Sequence, residues 1–305
     1  MDPDSELQFD FSPFVRLYKS GRVERLFTTS FVPASPVDPD PATGVLSKDV
    51  PIDPDRGVSA RLYLPAGDGA AAAEAAKLPI VLYFHGGAFC VESAFSPLYH
   101  GYLNSLVARA RVVAVSLEYR LAPEHPLPAA YDDAWAALRW AAANDLRRVF
   151  LAGDSAGANI AHATAMRATK EADLGFGIKG LVLLNPYFAG GEEPRDAGAR
   201  ARMESAWRFV CAGRYGVEHP HANPAGWPEQ LKELACERVL VAVAERDHLR
   251  ERGIAYAEGL RRSGWAGEVE LHDAAGEDHV YFLFKPHCDR ASDLMDTVVS
   301  FLNRN

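Results

Sequence analysis

Cysteine is scarce in this 305-residue chain, and its four copies, Cys90, Cys211, Cys236 and Cys288, stand in no CxxC or other metal-ligand spacing. That excludes a zinc-stapled or disulfide-dense fold and fits free thiols in a reducing compartment. Cys90 reads as a packed core thiol. No apolar run reaches the roughly 18 residues that span a bilayer, so no membrane segment is expected. Positive charge is in deficit: 32 Lys and Arg against 41 Asp and Glu leave a net charge of −9. Neither nucleic acid nor an anionic membrane surface is an expected partner. The stretch Met1-Asp2-Pro3-Asp4-Ser5-Glu6 has neither the basic region nor the apolar core of a secretory leader, so a cytoplasmic location is expected, with the nucleus as a second option. Internal repeats, metal-ligand clusters and glycine-rich phosphate loops are also missing, and no cofactor or metal is expected.

What is present is a large apolar fraction, 48% of residues, enough for a full core in one α/β domain over residues 1–305. Apolar runs place strands near Ser59–Leu64, Ile80–His85, Val112–Leu117, Val149–Ala152, Gly180–Leu184, Val239–Ala244 and Val269–Asp273. Helical patterns fall between and after them, near Pro97–Ala110, Tyr131–Asn144, Ala156–Thr169, Leu249–Ser263 and Arg290–Leu302. The alternation predicts a mostly parallel sheet covered by helices on both faces.

The most informative segment runs Val149-Phe150-Leu151-Ala152-Gly153-Asp154-Ser155-Ala156-Gly157. A short apolar strand, Gly-x-Ser-x-Gly and a helix of small residues together form the pattern of a nucleophile elbow. A serine on that turn projects from the sheet end, and a β-carbon at Gly153 or Gly157 would collide across it. The helix that follows aims its first amides at the same point. Upstream, the run Leu78–Phe84 ends in His85-Gly86-Gly87-Ala88-Phe89. Bare backbone amides there can stabilise the charge that develops on a carbonyl oxygen during acyl transfer. The amides of Gly87, Ala88 and Ala156 are the expected donors, with Gly86 allowing close approach. His85 fits a loop-orienting role better than proton transfer.

Downstream, Asp247 follows the strand Arg238–Ala244, and His279 lies in the turn Gly276-Glu277-Asp278-His279 after a further strand. The order Ser155, Asp247, His279 matches partners at successive strand ends, where the histidine deprotonates the serine and the acid orients the imidazole. Asp247 could equally cap the helix after it. Of ten histidines only His279 follows the acid at a strand end; His248 adjoins the acid and His272 lies along a strand.

Further blocks carry a resemblance. Glu118-Tyr119-Arg120-Leu121-Ala122-Pro123-Glu124-His125-Pro126 through Asp133 is similar to the block after the second oxyanion strand in the hormone-sensitive-lipase branch of α/β-hydrolases. Ser20–Arg25, Gly44–Val50, Ser59–Pro65, Arg250-Glu251-Arg252-Gly253 and Ser263-Gly264-Trp265 resemble plant carboxylesterases of that branch. The resemblance covers nearly the whole chain. It implies an α/β-hydrolase fold with a small helical cap, a cofactor-free serine esterase acting on small soluble esters, and catalytic roles for Ser155, Asp247 and His279. It leaves monomer and dimer open. It also brings two rivals: a gibberellin-receptor-like binding protein, and a lyase like the hydroxyisoflavanone dehydratases. In the receptors the position matching His279 is apolar, so the histidine here favours an enzyme.

The cap is expected from about residues 1–30 and an insertion at about 188–235. Phe9, Phe11, Phe14, Val15, Leu17 and Tyr18 suggest one or two helical turns lying on the body. The insertion carries Trp207, Phe209 and Tyr215 and breaks the strand–helix rhythm. Two departures from the family stand out. Ala88 replaces the third oxyanion glycine and adds a methyl to the acyl site, so short acyl groups of about two to six carbons are expected. An Ala-rich stretch, Gly67–Lys77, is expected as a surface loop or short helical turn.

Overall fold

The computed structural model describes residues 3–65, 78–144, 148–171, 175–191 and 197–304. The Ala-rich stretch Gly67–Lys77 lies outside the described residues. Eight strands form the main sheet: β4 (Leu46–Asp53), β5 (Val58–Leu64), β6 (Ile80–Phe84), β7 (Val113–Glu118), β8 (Val149–Asp154), β9 (Ile178–Leu184), β10 (Cys236–Ala244) and β11 (Glu268–Ala274). Their order is β11-β10-β9-β8-β6-β7-β5-β4, parallel except where β5 pairs with β4 and β7. The mostly parallel, doubly covered sheet read from the apolar runs is thus present.

β6 and β8 are buried at every position, as central strands covered on both faces must be. Successive residues of β6 feed opposite layers. Ile80, Leu82 and Phe84 pack with the helices α2 (Ala129–Ala143), α3 (Ala156–Ala168) and α6 (Arg250–Ser263). Val81 and Tyr83 pack with α1 (Pro97–Ala110) and α8 (Asp289–Asn303). Strand β4 is absent from the expected set. It is a half-exposed edge strand carrying Pro51, Lys48 and Asp49, features that blunt an edge and also hide the strand in the sequence.

The N-terminal segment corrects the reading of helical turns over Phe9–Leu26. It forms a separate antiparallel sheet of β1 (Leu7–Phe11), β2 (Val15–Tyr18) and β3 (Val23–Arg25), in that order. Phe9, Phe11, Val15 and Leu17 recur with period two, and Phe9 faces Leu17 while Phe11 faces Val15 across the ladder. Gly21, at φ 87°, turns the chain between β2 and β3. The insertion does contribute helices, α4 (Ala197–Val210) and the short α5 (Pro228–Leu231). Phe209 of α4 stacks on Phe9 of β1 with centroids 4.4 Å apart, joining the two segments.

Candidate active site

Ser155 joins β8 to α3 with φ 51° and ψ −116°, a strained backbone for a residue with a β-carbon. The turn is over-determined by contact. A β-carbon on Gly157 would lie 1.9 Å from the Phe84 carbonyl oxygen, and one on Gly153 would lie 2.6 Å from the same atom. The Ser155 amide donates to the Leu184 carbonyl (2.8 Å), which ties the turn to the end of β9.

The three residues named from sequence order meet here. His279 Nε2 lies 2.9 Å from Ser155 Oγ, and His279 Nδ1 lies 2.8 Å from Asp247 Oδ2. This network suits the tautomer in which Nδ1–H donates to the carboxylate and Nε2 accepts from the hydroxyl. Asp247 also accepts from Asn185 Nδ2 (2.9 Å) and the Leu249 amide (2.9 Å). Burial alone would raise its pKa. Hydrogen bonds from His279, Leu249 and Asn185 instead hold it below the usual carboxylate range. The cap-like contact to Leu249 and the contact to His279 coexist, so the two readings of Asp247 are compatible. His248 stays outside this chain of bonds, its Nδ1 3.6 Å from Asp247 Oδ1.

The loop after β6 is built on left-handed backbone. Gly87, Ala88, Phe89 and Glu92 have φ of 100°, 52°, 62° and 72°. Ala88 therefore adopts a conformation that glycine takes without strain and alanine does not. The Gly86 amide is engaged: it donates to Tyr99 Oη (2.8 Å) and Asp154 Oδ1 (3.1 Å). A β-carbon there would strike Asp154 Oδ2 at 2.3 Å, so the loop packs onto Asp154 only with glycine at this position. Gly87 and Ala88 line the cavity beside Ser155. Ala156 is the first residue of α3, whose leading amides have no partner within the helix. His85 is fully buried, with Nδ1 2.8 Å from the Gly86 carbonyl and its ring stacked on Tyr119 at 4.2 Å. Burial lowers its pKa to about 4, so it holds the loop as a neutral ring.

Several residues of this network were not singled out in the sequence. Asp154 is buried and accepts from Tyr83 Oη (3.0 Å), Tyr99 Oη (3.0 Å) and the Gly86 amide, which pins the loop after β6 to the end of β8. Burial raises its pKa to about 6 despite those bonds. Asn159, one turn after Ser155, donates to the carbonyls of Tyr187 (3.0 Å) and His221 (2.7 Å) and so fastens the insertion to α3. An acid closing an otherwise apolar strand, and an Asn inside a buried small-residue helix, were the available signals.

Ser155 and His279 open into a cavity of about 560 Å³. Phe11, Phe14 and Phe27 line one wall, Met203 and Ala206 of α4 another, and Val280, Leu283 and Phe284 a third. Both segments assigned to a cap therefore reach the cavity. Among the described residues no group of three or more His, Cys, Asp or Glu could hold a metal ion, and no helix is long and apolar enough to cross a membrane.

Residues 81–283 match the family model described as the alpha/beta hydrolase fold. The chain is 42% identical to probable carboxylesterase 2 of Arabidopsis thaliana over 98% of its length and 97% of that protein. It is 41% identical to 2-hydroxyisoflavanone dehydratase of Glycyrrhiza echinata, over 97% of this chain and 96% of that one. Among solved structures it is similar to a hyperthermophilic esterase from the archaeon Pyrobaculum calidifontis, with a TM-score of 0.69, 28% identity and 84% of each chain covered. A thermophilic carboxylesterase from a metagenomic library gives a TM-score of 0.69, 26% identity and 90% coverage of each chain. With its fold, its elbow and these relatives in agreement, the chain belongs to the α/β-hydrolase family, in the branch of the plant carboxylesterases.

Proposed function

We propose that this protein is a serine carboxylesterase of small soluble esters, with Ser155 as nucleophile, His279 as general base and acid, and Asp247 as the carboxylate that orients the imidazole. The observation that carries the reading is the unbroken chain of hydrogen bonds from Asp247 through His279 to Ser155. Serine is a weak nucleophile until a base takes its proton. Ser155 Oγ attacks the ester carbonyl while its proton passes to His279 Nε2. The tetrahedral oxyanion is stabilised by the amides of Gly87, Ala88 and Ala156, and the C–O bond then breaks as His279 protonates the departing alcohol. Water, deprotonated by His279, attacks the acyl-enzyme; acid leaves and Ser155 regains its proton. The methyl of Ala88 narrows the acyl side, which favours acyl groups of about two to six carbons. The segments at about residues 1–30 and 188–235 act together as the cap.

Ser155→Ala, Asp247→Asn and His279→Ala are each expected to lower kcat for a butyrate ester by about 10³ or more, with little change in melting temperature. Substantial esterase activity in Ser155→Ala would refute the assigned nucleophile. The 41% identity to a dehydratase sustains one other reading, elimination of water by the same base without an acyl-enzyme. A dehydratase would turn over a β-hydroxy ketone and leave the butyrate ester intact. A hormone receptor of the gibberellin type is disfavoured, because binding alone does not call for a histidine bonded to the serine.

A further inference from the structure

The cavity around Ser155 is lined by side chains of both charge signs. Its carboxylates, Asp154 and Glu92, stand on the oxyanion side: Asp154 precedes the nucleophile, and Glu92 Cβ lies 3.1 Å from where a side chain on Gly87 would begin. Its guanidinium groups are Arg202 of α4, the helix that also supplies Met203 and Ala206, and Arg252 of α6. Arg252 is the more informative. Its Nη1 donates to the His248 carbonyl (3.3 Å), which holds the side chain beside the acid loop. Its Nε is buried and meets no acceptor among the described residues. Among the described residues no carboxylate comes within ion-pair distance of it.

The described acids around Arg252 are otherwise engaged. Asp247 serves His279, Asn185 and the Leu249 amide. Glu204 and Glu218 line a small crevice that Arg252 also borders. Glu204 pairs with Arg208 (3.8 Å), and Glu218 accepts from Asn223 (3.0 Å). Burial holds the Arg252 pKa below that of an ordinary guanidinium, against the pull of Tyr187 and Asp247. A half-desolvated cation with spare donors is costly unless a ligand supplies the missing anion. The cavity, about 560 Å³ and walled by Phe11, Phe14 and Phe27, also exceeds the space a short acyl group fills.

We propose that Arg252 is a specificity-determining residue that receives a carboxylate on an otherwise apolar ester, so that the substrate class is aryl or similarly bulky esters bearing one acidic group. The planar fork of arginine suits a carboxylate, which can take two parallel N–H donors. The inference rests on the esterase reading of Ser155 and adds the charge of the substrate to it.

Two matched esters test it: 3-(butyryloxy)benzoate and 3-(butyryloxy)benzamide, alike except for charge. The wild-type protein is expected to favour the benzoate in kcat/KM by about tenfold or more, the range of one charge-assisted pair. Arg252→Met is expected to lower kcat/KM for the benzoate at least about tenfold more than for the benzamide, and Arg252→Lys to restore part of the preference. If Arg252→Met folds poorly, the lysine variant alone carries the comparison. Equal losses on both esters, or a wild-type preference for the benzamide, would overturn the proposal. Calorimetric binding of the two esters to Ser155→Ala gives an arm that needs no turnover. Selective binding of the benzoate with no hydrolysis of either ester by the wild type would sustain the Arg252 site and overturn the esterase reading.

Discussion

The floor of the cavity, where β8 turns into α3, is fixed by contacts that leave no room for a β-carbon, whereas the wall made by Phe11, Phe14 and Phe27 belongs to the N-terminal sheet segment. There Phe11 and Phe14 share a backbone hydrogen bond, and the segment meets α4 through the rings of Phe11 and Phe209. At the floor, Gly157 is pressed against the Phe84 carbonyl, Gly86 against Asp154, and Ser155 is tied to Leu184. At the wall, Phe9 stacks on Phe209, and Phe11 meets Phe14 and Phe209 at centroid distances of 5.1 and 6.1 Å. Strain at the floor persists only because its surroundings over-determine it. Where the wall meets α4 the contacts are between apolar rings, which make no such demand on the backbone. Under the proposed mechanism the chemistry sits on the floor, where the contacts tolerate no added atom, and substrate choice sits at the wall, whose rings can vary in shape.

Breaking each region should therefore give different results. Gly157→Ala forces backbone against backbone and is expected to cost at least ~3 kcal/mol, abolishing activity along with stability. Chemical denaturation with activity measured on the same samples checks this, and an active, fully stable variant would contradict the contact argument. Phe209→Ala removes one stacked pair and is expected to cost about 1 kcal/mol beyond the loss of buried area. Its signature is a raised KM for aryl esters with kcat within about twofold, since the floor is untouched. A collapse of kcat equal to that of Gly157→Ala would erase the distinction between the two regions.

The same contrast explains what could be read in the sequence. The floor was legible because tight turns need specific residues: Gly153, Ser155 and Gly157 follow an apolar strand, and His85-Gly86-Gly87 ends another. Asp247 and His279 were legible because each closes a strand-like run in the right order. The wall was not. Phe9, Phe11, Val15 and Leu17 satisfy a period of two, but Phe14 and Tyr18 between them also allow a helical face, and only pairing across β1, β2 and β3 decides the matter. β4 was hidden for a related reason, since an edge strand with Pro51 and three charged residues advertises itself as a loop. Asp154 and Asn185 escaped notice because their roles lie in partners far away in the chain. Tyr99 and Gly86 serve the first, Asp247 the second.

In the proposed mechanism His279, bonded to Ser155, makes that hydroxyl nucleophilic. Treatment of the folded protein with a fluorophosphonate, followed by mass spectrometry of the peptides, tests it most directly. One adduct per chain on the peptide carrying Ser155, lost in His279→Val, is the result expected. A folded wild-type protein that takes no adduct, or one labelled equally well without His279, would contradict it.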